Sequence, residues 1–448
     1  MPPNDTVIKH YKSGLELEHF ILDSKGNIAN RANELISKIK KLEPSNGVKH
    51  EIAAGMLEIA TEAELNIPDI GRQLCSDLEL LITTAEANDL SIYPFGTYPG
   101  AFMPEIFDTP RYAAQQKIFG KQRLAIAGRV AGLHCHFTLP KGVFDENRRQ
   151  IKNLIFSKHK ESLINIFNLF TALDPALTCF AQSSPFYQGE YLAKDSRLVV
   201  YRGGEVFNYP QGCCAIFDGK YGGLQSYLAT GTDLLHFIER QFDFFKKHLK
   251  ELEINIKTFL KHGSILSVTW APVRINAHGT TEHRGMDSNL PSVVIALSLL
   301  IKYIAKEVQE KFISVVASDE AINNPFAYDG KKIIIPPASI VRSHLQPKSA
   351  FEGLSHPDIS RYCQALLKLG KSLIPKDRLP FLSPLDNMLK SGETISDKLI
   401  KLAKESGWNG KSGLNPELCR HLALRSAEML KTDLAALKQP LVDFTPKN

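Results

Sequence analysis

The chain has no glycine-rich loop of the kind that cradles phosphate. Gly-x-x-x-x-Gly-Lys-Ser/Thr and Gly-x-Gly-x-x-Gly are both missing from its 448 residues, so a bound nucleotide would have to be held by metal ions and side chains. Tyr221-Gly-Gly-Leu224 offers only a turn. Gly-x-Ser-x-Gly is missing too, and Ser183-Ser184-Pro185 has no base beside it in sequence, which leaves a serine nucleophile unsupported. The seven cysteines are scattered and form no Cys-x-x-Cys, which points away from a disulfide framework and toward a reducing compartment. Neither sign of charge dominates: 54 Lys and Arg against 48 Asp and Glu leave a net +6, which does not by itself indicate nucleic acid and suits an anionic small substrate. The densest basic stretch, Phe245-Lys-Lys-His-Leu-Lys250 continuing to Lys257 and Lys261, is interrupted by Glu251 and Glu253 and reads as a solvated helix face.

Long apolar runs are also scarce. The most apolar stretch, residues 293–301, is followed by Lys302 and is far shorter than the ~18 to 20 residues of a membrane span, so a buried helix with Pro291 near its first turn is expected. Met1-Pro-Pro-Asn-Asp-Thr6 has no basic segment leading into an apolar one, and a soluble, cytoplasmic protein without a cleaved signal is the expectation.

What the chain does have is three strand-like runs that carry chemically competent residues at i and i+2. These are Glu16 and Glu18, His134 and His136, and Glu282 and Arg284. Strand side chains alternate, so each pair shares one sheet face, while Leu15 and Leu17, or Leu133, Cys135, Phe137 and Leu139, fall on the other. Each pair alone has a plainer reading: a solvated strand face, a satisfied core histidine network, a surface ion pair. If the three strands share a sheet, carboxylates, imidazoles and a guanidinium converge, the makings of a divalent-metal and phosphate site. Cys135, between the two histidines, is expected on the apolar face in a packing role.

A chain of this length fits two or three domains or one large one. Helical periodicity is clearest over 30–42, 68–87, 110–127, 147–172, 232–248, 291–310 and 416–437, and strands are expected over 14–22, 50–60, 91–96, 133–139, 265–273, 280–286 and 332–335. The order lacks regular β-α-β alternation, which favours an α+β fold with an antiparallel sheet. Prolines and Gly353 between Ile335 and Asp358 suggest a boundary, giving a catalytic domain over 1–335 and a mostly helical region over 336–448.

Six segments, in order, resemble the glutamate-cysteine ligase type 2 (carboxylate-amine ligase) family: Gly14-Leu-Glu-Leu-Glu18, Lys49-His-Glu-Ile-Ala-Ala-Gly-Met-Leu-Glu-Ile-Ala-Thr61, Gly96-Thr-Tyr-Pro99, Ala131-Gly-Leu-His-Cys-His136, Ser183-Ser-Pro-Phe-Tyr-Gln-Gly189, and Trp270 through Thr281-Glu-His-Arg-Gly-Met-Asp287. The resemblance implies a glutamine-synthetase-like fold, an antiparallel sheet curved into a funnel whose inner face carries metals and whose outer face is flanked by helices. It implies Glu16, Glu18, Glu58, His134 and Glu282 as metal ligands, with Glu51 as an additional one, and Arg284 directed at the transferring phosphate. Arg197 resembles the family's substrate or nucleotide arginine. Two residues depart from the pattern: Tyr98 stands for the histidine usual in Gly-Thr-His-Pro, and His283 for a small apolar residue.

The implied chemistry is ATP-dependent. A carboxylate is a poor electrophile, and ATP can convert it to an acyl phosphate that an amine then attacks. Two or three Mg²⁺ or Mn²⁺ ions and an arginine would neutralise the phosphates. The expected function is a carboxylate-amine ligase joining glutamate to cysteine or another amine. A metal-dependent γ-glutamyl amide hydrolase and a catalytically silent ATP- and metal-binding module are the alternatives. Small-molecule acid and amine substrates are the expected partners, with no nucleic acid and no membrane. A homo-oligomer is compatible with the sequence.

Overall fold

The computed structural model describes residues 11–152, 157–216, 222–257, 265–268 and 270–444; Met1–Thr6, Tyr221 and Lys261 lie outside the described residues. Its centre is a seven-stranded sheet in which every pairing is antiparallel. The strands are β1 (Ser13–Asp23), β2 (Val48–His50), β3 (Met56–Ala60), β4 (Leu90–Tyr93), β5 (Gly132–Thr138), β6 (Val273–Asn276) and β7 (Thr280–Asp287). Their order is β6-β7-β5-β1-β3-β2, with β4 pairing the last residues of β1.

Period-two alternation decides which face is covered. Leu15, Leu17, Leu133, Cys135 and Phe137 are all buried in one continuous core. The helices that back this sheet and extend beyond it are α1 (Ile67–Glu86), α2 (Lys158–Ala181), α3 (Ser196–Arg202), α4 (Pro291–Lys311), α5 (Pro357–Leu373) and α6 (Pro416–Asp443). α4 lies on β5 and α2 on β7. Each large apolar side chain buried there contributes about 1.5–3 kcal/mol. Cys135 faces α4, its sulfur 3.8 Å from Ser298 Oγ, in the packing role expected of it. By length and composition α2 could cross a membrane, but 94% of its most apolar window is buried inside the fold, as in a core helix. The chain beyond β7 is mostly helical: α5 packs on α2 and α4, while Leu430, Leu434, Leu437 and Leu441 of α6 join the cluster that holds Leu74 and Leu78 of α1.

Several elements differ from the sequence expectations, each for a local reason. The helix expected over 147–172 begins only at Lys158, where the Ser157 side chain accepts from Lys160 N. Before it, Arg149 adopts φ +50°, and Phe144–Asp145 pairs with Gln150–Ile151 as a short hairpin. Residues 153–156 of that span lie outside the described residues. The helix expected over 110–127 breaks at Gly120, at φ +81°. The strand expected over 265–273 is a 3₁₀ turn at Ile265–Ser267, and the strand starts only after Pro272, which has no N–H to give a ladder. Thr269 lies outside the described residues. The strand expected over 50–60 is split, because Ala53 and Ala54 pair instead with Ile106 and Glu105. That split puts Glu51 on a loop.

Candidate active site

Strand register brings the three residue pairs together on the uncovered face. Glu16 lies opposite His134, Glu18 opposite Glu58, and His136 opposite Glu282. Arg284 follows on β7, where pairing with β5 shifts between His283 and Met286. The bulge needs Gly285, because a Cβ there would lie 2.3 Å from Arg202 Nη2 and 2.5 Å from Asp174 Oδ1. Arg197, from α3, donates to the carbonyls of Gly285 and Arg284 at 3.1 and 3.4 Å and so clasps this irregularity.

The polar atoms form three overlapping groups: Glu16, His136 and Glu282; Glu16, Glu58 and His134; and Glu18, Glu51 and Glu58. Within each, one potential ligand atom per residue lies within 4.8 Å of the others. His134 Nδ1 is 3.0 Å from Glu16 Oε2 and 3.9 Å from Glu282 Oε1, while its Nε2 is 3.5 Å from Glu18 Oε1. His136 Nε2 is 3.6 Å from Glu16 Oε2, and its Nδ1 pairs with Thr280 Oγ1 at 2.9 Å. Glu282, fully buried, accepts from Arg274 at 2.7 and 3.2 Å, from Asn276 at 2.6 Å and from Arg284 at 3.3 Å.

So many carboxylates crowded into one partly enclosed place cannot all remain charged unaided. Burial and the charge of Glu51 push Glu18 up to about 7, burial and Glu58 push Glu51 up to about 7, and burial with Glu16 and Glu18 pushes Glu58 up to about 8. Burial also acts upward on Glu16, but the hydrogen bond to His134 and the neighbouring His136 ring outweigh it and hold the group well below the usual carboxylate range. Glu282 is likewise held low, burial being outweighed by Arg274 and Arg284. His134 is lowered by burial and by Arg284, which favours the neutral ring that a metal requires. The Nε2 atoms of His134 and His136 are buried without a hydrogen-bond partner. Orphaned imidazole nitrogens beside carboxylates with raised pKa form a donor set that divalent cations would complete.

The site lines a cavity of about 270 Å³. Its remaining wall includes Arg111, Tyr112 and Gln115 from the helix Pro110–Phe119, Tyr201 from α3, and Trp270, which stacks on Phe119 with ring centres 4.4 Å apart. Another cavity, about 750 Å³, lies where the start of α4 meets the C-terminal helices and holds none of the site residues.

The residues that the family resemblance implies as ligands and phosphate contacts are brought together here. Glu16, Glu18, Glu51, Glu58, His134, Arg197 and Arg284 line the cavity, and Glu282 lies directly beneath Arg274 and Arg284. The two departures point elsewhere. Tyr98 packs among Tyr93 and Phe102 and donates to Gly26 O at 2.9 Å. His283 points through the sheet to Asp174 on α2, at 3.0 Å, and Arg202 grips the same carboxylate at 2.6 and 2.8 Å. Two residues outside the ligand set expected from the sequence also lie beside the candidate ligands: Arg274 on Glu282, and His136 within 4.8 Å of Glu16 and Glu282. Arg274 and Asn276 show the same i, i+2 signal in the run Val273-Arg-Ile-Asn276. Arg111, Tyr112 and Gln115 carried no such signal, because a helix docked from elsewhere brings them in.

The family model of glutamate-cysteine ligase family 2 matches residues 12–311, two thirds of the chain, and spans the whole site. The chain belongs to glutamate-cysteine ligase family 2. Two curated relatives are putative glutamate–cysteine ligases 2. The one from Gloeobacter violaceus is 27% identical over 190 residues, covering 41% of this chain and 45% of that protein. The one from Salmonella arizonae is 30% identical over 146 residues, covering 32% of this chain and 39% of that protein. The match thus spans less than half the length of these family members. Among solved structures, the glutamate–cysteine ligase of Francisella tularensis in complex with AMP superposes with a TM-score of 0.57 at 13% identity, covering 96% of this chain and 92% of that one. A bifunctional glutathione synthetase from Pasteurella multocida gives 0.55 at 13% identity, over 95% of this chain and 53% of that one. At that identity the likeness is one of fold. It extends through the C-terminal helices, which the family 2 match does not reach.

Proposed function

We propose that this family 2 member is an ATP-dependent carboxylate-amine ligase that forms a γ-glutamyl-type amide bond through an acyl phosphate, with glutamate as the acid and cysteine or another amine as acceptor. The observation that carries this reading is the convergence, at one cavity, of three overlapping carboxylate and imidazole groups with Arg274 and Arg284. The AMP bound to the Francisella relative of the same fold supports a nucleotide as cosubstrate.

Glu16, Glu18, Glu51, Glu58, His134, His136 and Glu282 would hold two or three Mg²⁺ or Mn²⁺ ions, whose chemistry is neutralisation of a polyphosphate; the imidazoles favour Mn²⁺. This division of labour explains why no glycine loop is needed. Arg284 lines the cavity with one terminal nitrogen on Glu282. Burial and Glu282 act in opposite directions on Arg284, and the net effect raises its pKa, so it stays charged. A permanently charged planar fork there stabilises the transferring phosphoryl group and does not exchange protons. Arg274 keeps Glu282 ionised. Arg197 fixes the bulge from which Arg284 projects. Tyr112, Tyr201 and Trp270 give the cavity an apolar wall suited to excluding water from an activated acyl group.

The test is incubation with ATP, Mg²⁺ or Mn²⁺, glutamate and a panel of amines, reading phosphate release and amide formation. Hydroxylamine in place of the amine should trap γ-glutamyl hydroxamate. Amide cleavage that proceeds without ATP would replace this reading with a hydrolase, and ATP binding without turnover with a silent module.

A further inference from the structure

Several of the motif segments meet behind the cavity rather than in it. Asp195, at the start of α3, and Asp287, at the end of β7, are both fully buried. Asp195 Oδ1 accepts from Leu198 N at 2.7 Å, capping α3. Asp287 Oδ2 accepts from Ser183 N at 2.9 Å and Ser183 Oγ at 3.4 Å. Each carboxyl therefore has one oxygen satisfied, while Asp195 Oδ2 and Asp287 Oδ1 are buried without a hydrogen bond of ordinary geometry. The adjacent residues Ser183 and Ser184 bring the two carboxyls together, Ser183 N donating to Asp287 while Ser184 bridges Asp195 through the main chain, and the Ser184 hydroxyl and Asp195 are the side-chain neighbours of Asp287. Gly96 packs against Asp287, since a Cβ there would lie 2.4 Å from Asp287 Cγ.

Two carboxylates in contact in a dry interior cannot both be ionised, and a carboxylic acid facing a carboxylate supplies the donor that both orphaned oxygens lack. We propose that Asp195 and Asp287 share one proton, and that this bonded pair is a positioning device tying the start of α3 to the end of β7. It thereby sets Arg197 over the β7 bulge and aims Arg284 into the cavity. The charged and titratable groups facing the pair are Arg197 and Arg202 from α3 and Tyr93 from β4. Arg202 is committed to Asp174, and Arg197 to the bulge carbonyls. Burial and then the charge of Asp287 push Asp195 well above the usual carboxylate range, in keeping with a proton held between them.

The pair is tested on the full chain with carbon-13 in the aspartate carboxyls, titrated by NMR without substrate. The wild type should show Asp195 and Asp287 titrating together, with one proton retained far above the ordinary value of about 4. In Asp195→Asn and in Asp287→Asn the remaining partner should ionise well below the upper step of the wild-type pair, because the amide now donates to it, while burial still holds it above the ordinary value. Asp77 and Asp433, raised chiefly by burial, should be unchanged and serve as internal controls. A remaining partner that titrates as high as the wild-type pair in either variant, or a wild type in which both groups ionise in the ordinary range, overturns the shared proton. A second arm rests on the ligase reading: Asp195→Asn should keep kcat within about threefold, and Asp195→Ala should lose about tenfold or more with a smaller change in KM for ATP. Equal losses in the two variants, with melting curves confirming that both fold, overturn the positioning role. Wild type without ligase turnover would sink the proposed function and leave the NMR result standing.

Discussion

Arg274 sits opposite Glu282 in the β6–β7 hairpin and holds both of its oxygens, Nε 2.7 Å from Oε2 and Nη2 3.2 Å from Oε1. This pairing keeps a fully buried carboxylate charged and fixes its orientation, the work that supporting partners do around metal ligands. Arg274→Ala should weaken Mn²⁺ binding by about 10- to 100-fold, measured by calorimetry, and Arg274→Lys should restore only part of it. Unchanged Mn²⁺ affinity in Arg274→Ala would remove Glu282 from the metal site.

Metal binding should be strongly pH-dependent. Glu18 and Glu51 are raised to about 7 and Glu58 to about 8, so in the metal-free protein they contribute stability that is full below an ordinary carboxylate pKa of about 4 and is lost as pH rises through about 7 to 8. Without metal, Tm should fall between about pH 4 and 8; with saturating Mn²⁺, which takes the place of the protons, the fall should be suppressed. Calorimetry in buffers of different ionisation enthalpy should show protons released on binding near pH 7. Binding without proton release would mean that the raised carboxyls are not ligands.

Glu282 and Arg284 should separate by their response to Mn²⁺. Glu282→Gln removes a negative ligand, and excess Mn²⁺ should partly rescue it. Arg284→Lys keeps the charge and loses the fork, so single-turnover rate should fall on the order of 10²-fold with metal affinity retained and no rescue. Near wild-type single-turnover rates for both variants would reduce the pair to an ion pair.

Cys135 lies between two imidazoles in sequence but packs on α4 in space. Cys135→Ala should leave Mn²⁺ affinity unchanged and cost about 1 kcal/mol of stability, seen in denaturant unfolding. A loss of affinity matching that of His134→Ala in a folded protein would contradict the packing.

His283 joins β7 to the buried Asp174–Arg202 pair on the far side of the sheet. Its removal should cost about 2 kcal/mol, since it takes a hydrogen bond from a charged buried group. Mn²⁺ affinity at the opposite face should change little, and a loss as large as that of Arg274→Ala would show that the bulge depends on His283.

Which residues share a face was legible along the chain alone. Alternation has a period of two whatever the partner strands are, so Glu16 with Glu18, His134 with His136 and Glu282 with Arg284 could be paired before any fold was known, and Cys135 assigned to the other side. The α+β class and the antiparallel sheet followed from the order of elements. The tertiary structure decided which faces meet: register sets Glu16 against His134 and His136 against Glu282, and a one-residue slip would have sent either partner to the core. It also decided what local pattern cannot encode. Glu51 reaches Glu18 from a loop anchored to Glu105 and Ile106, Arg197 reaches the β7 bulge from α3, and Tyr112 and Gln115 enter from a separate helix. Those contacts join residues far apart in the chain through packing and bulge geometry, and periodicity carries information only along one strand or helix at a time.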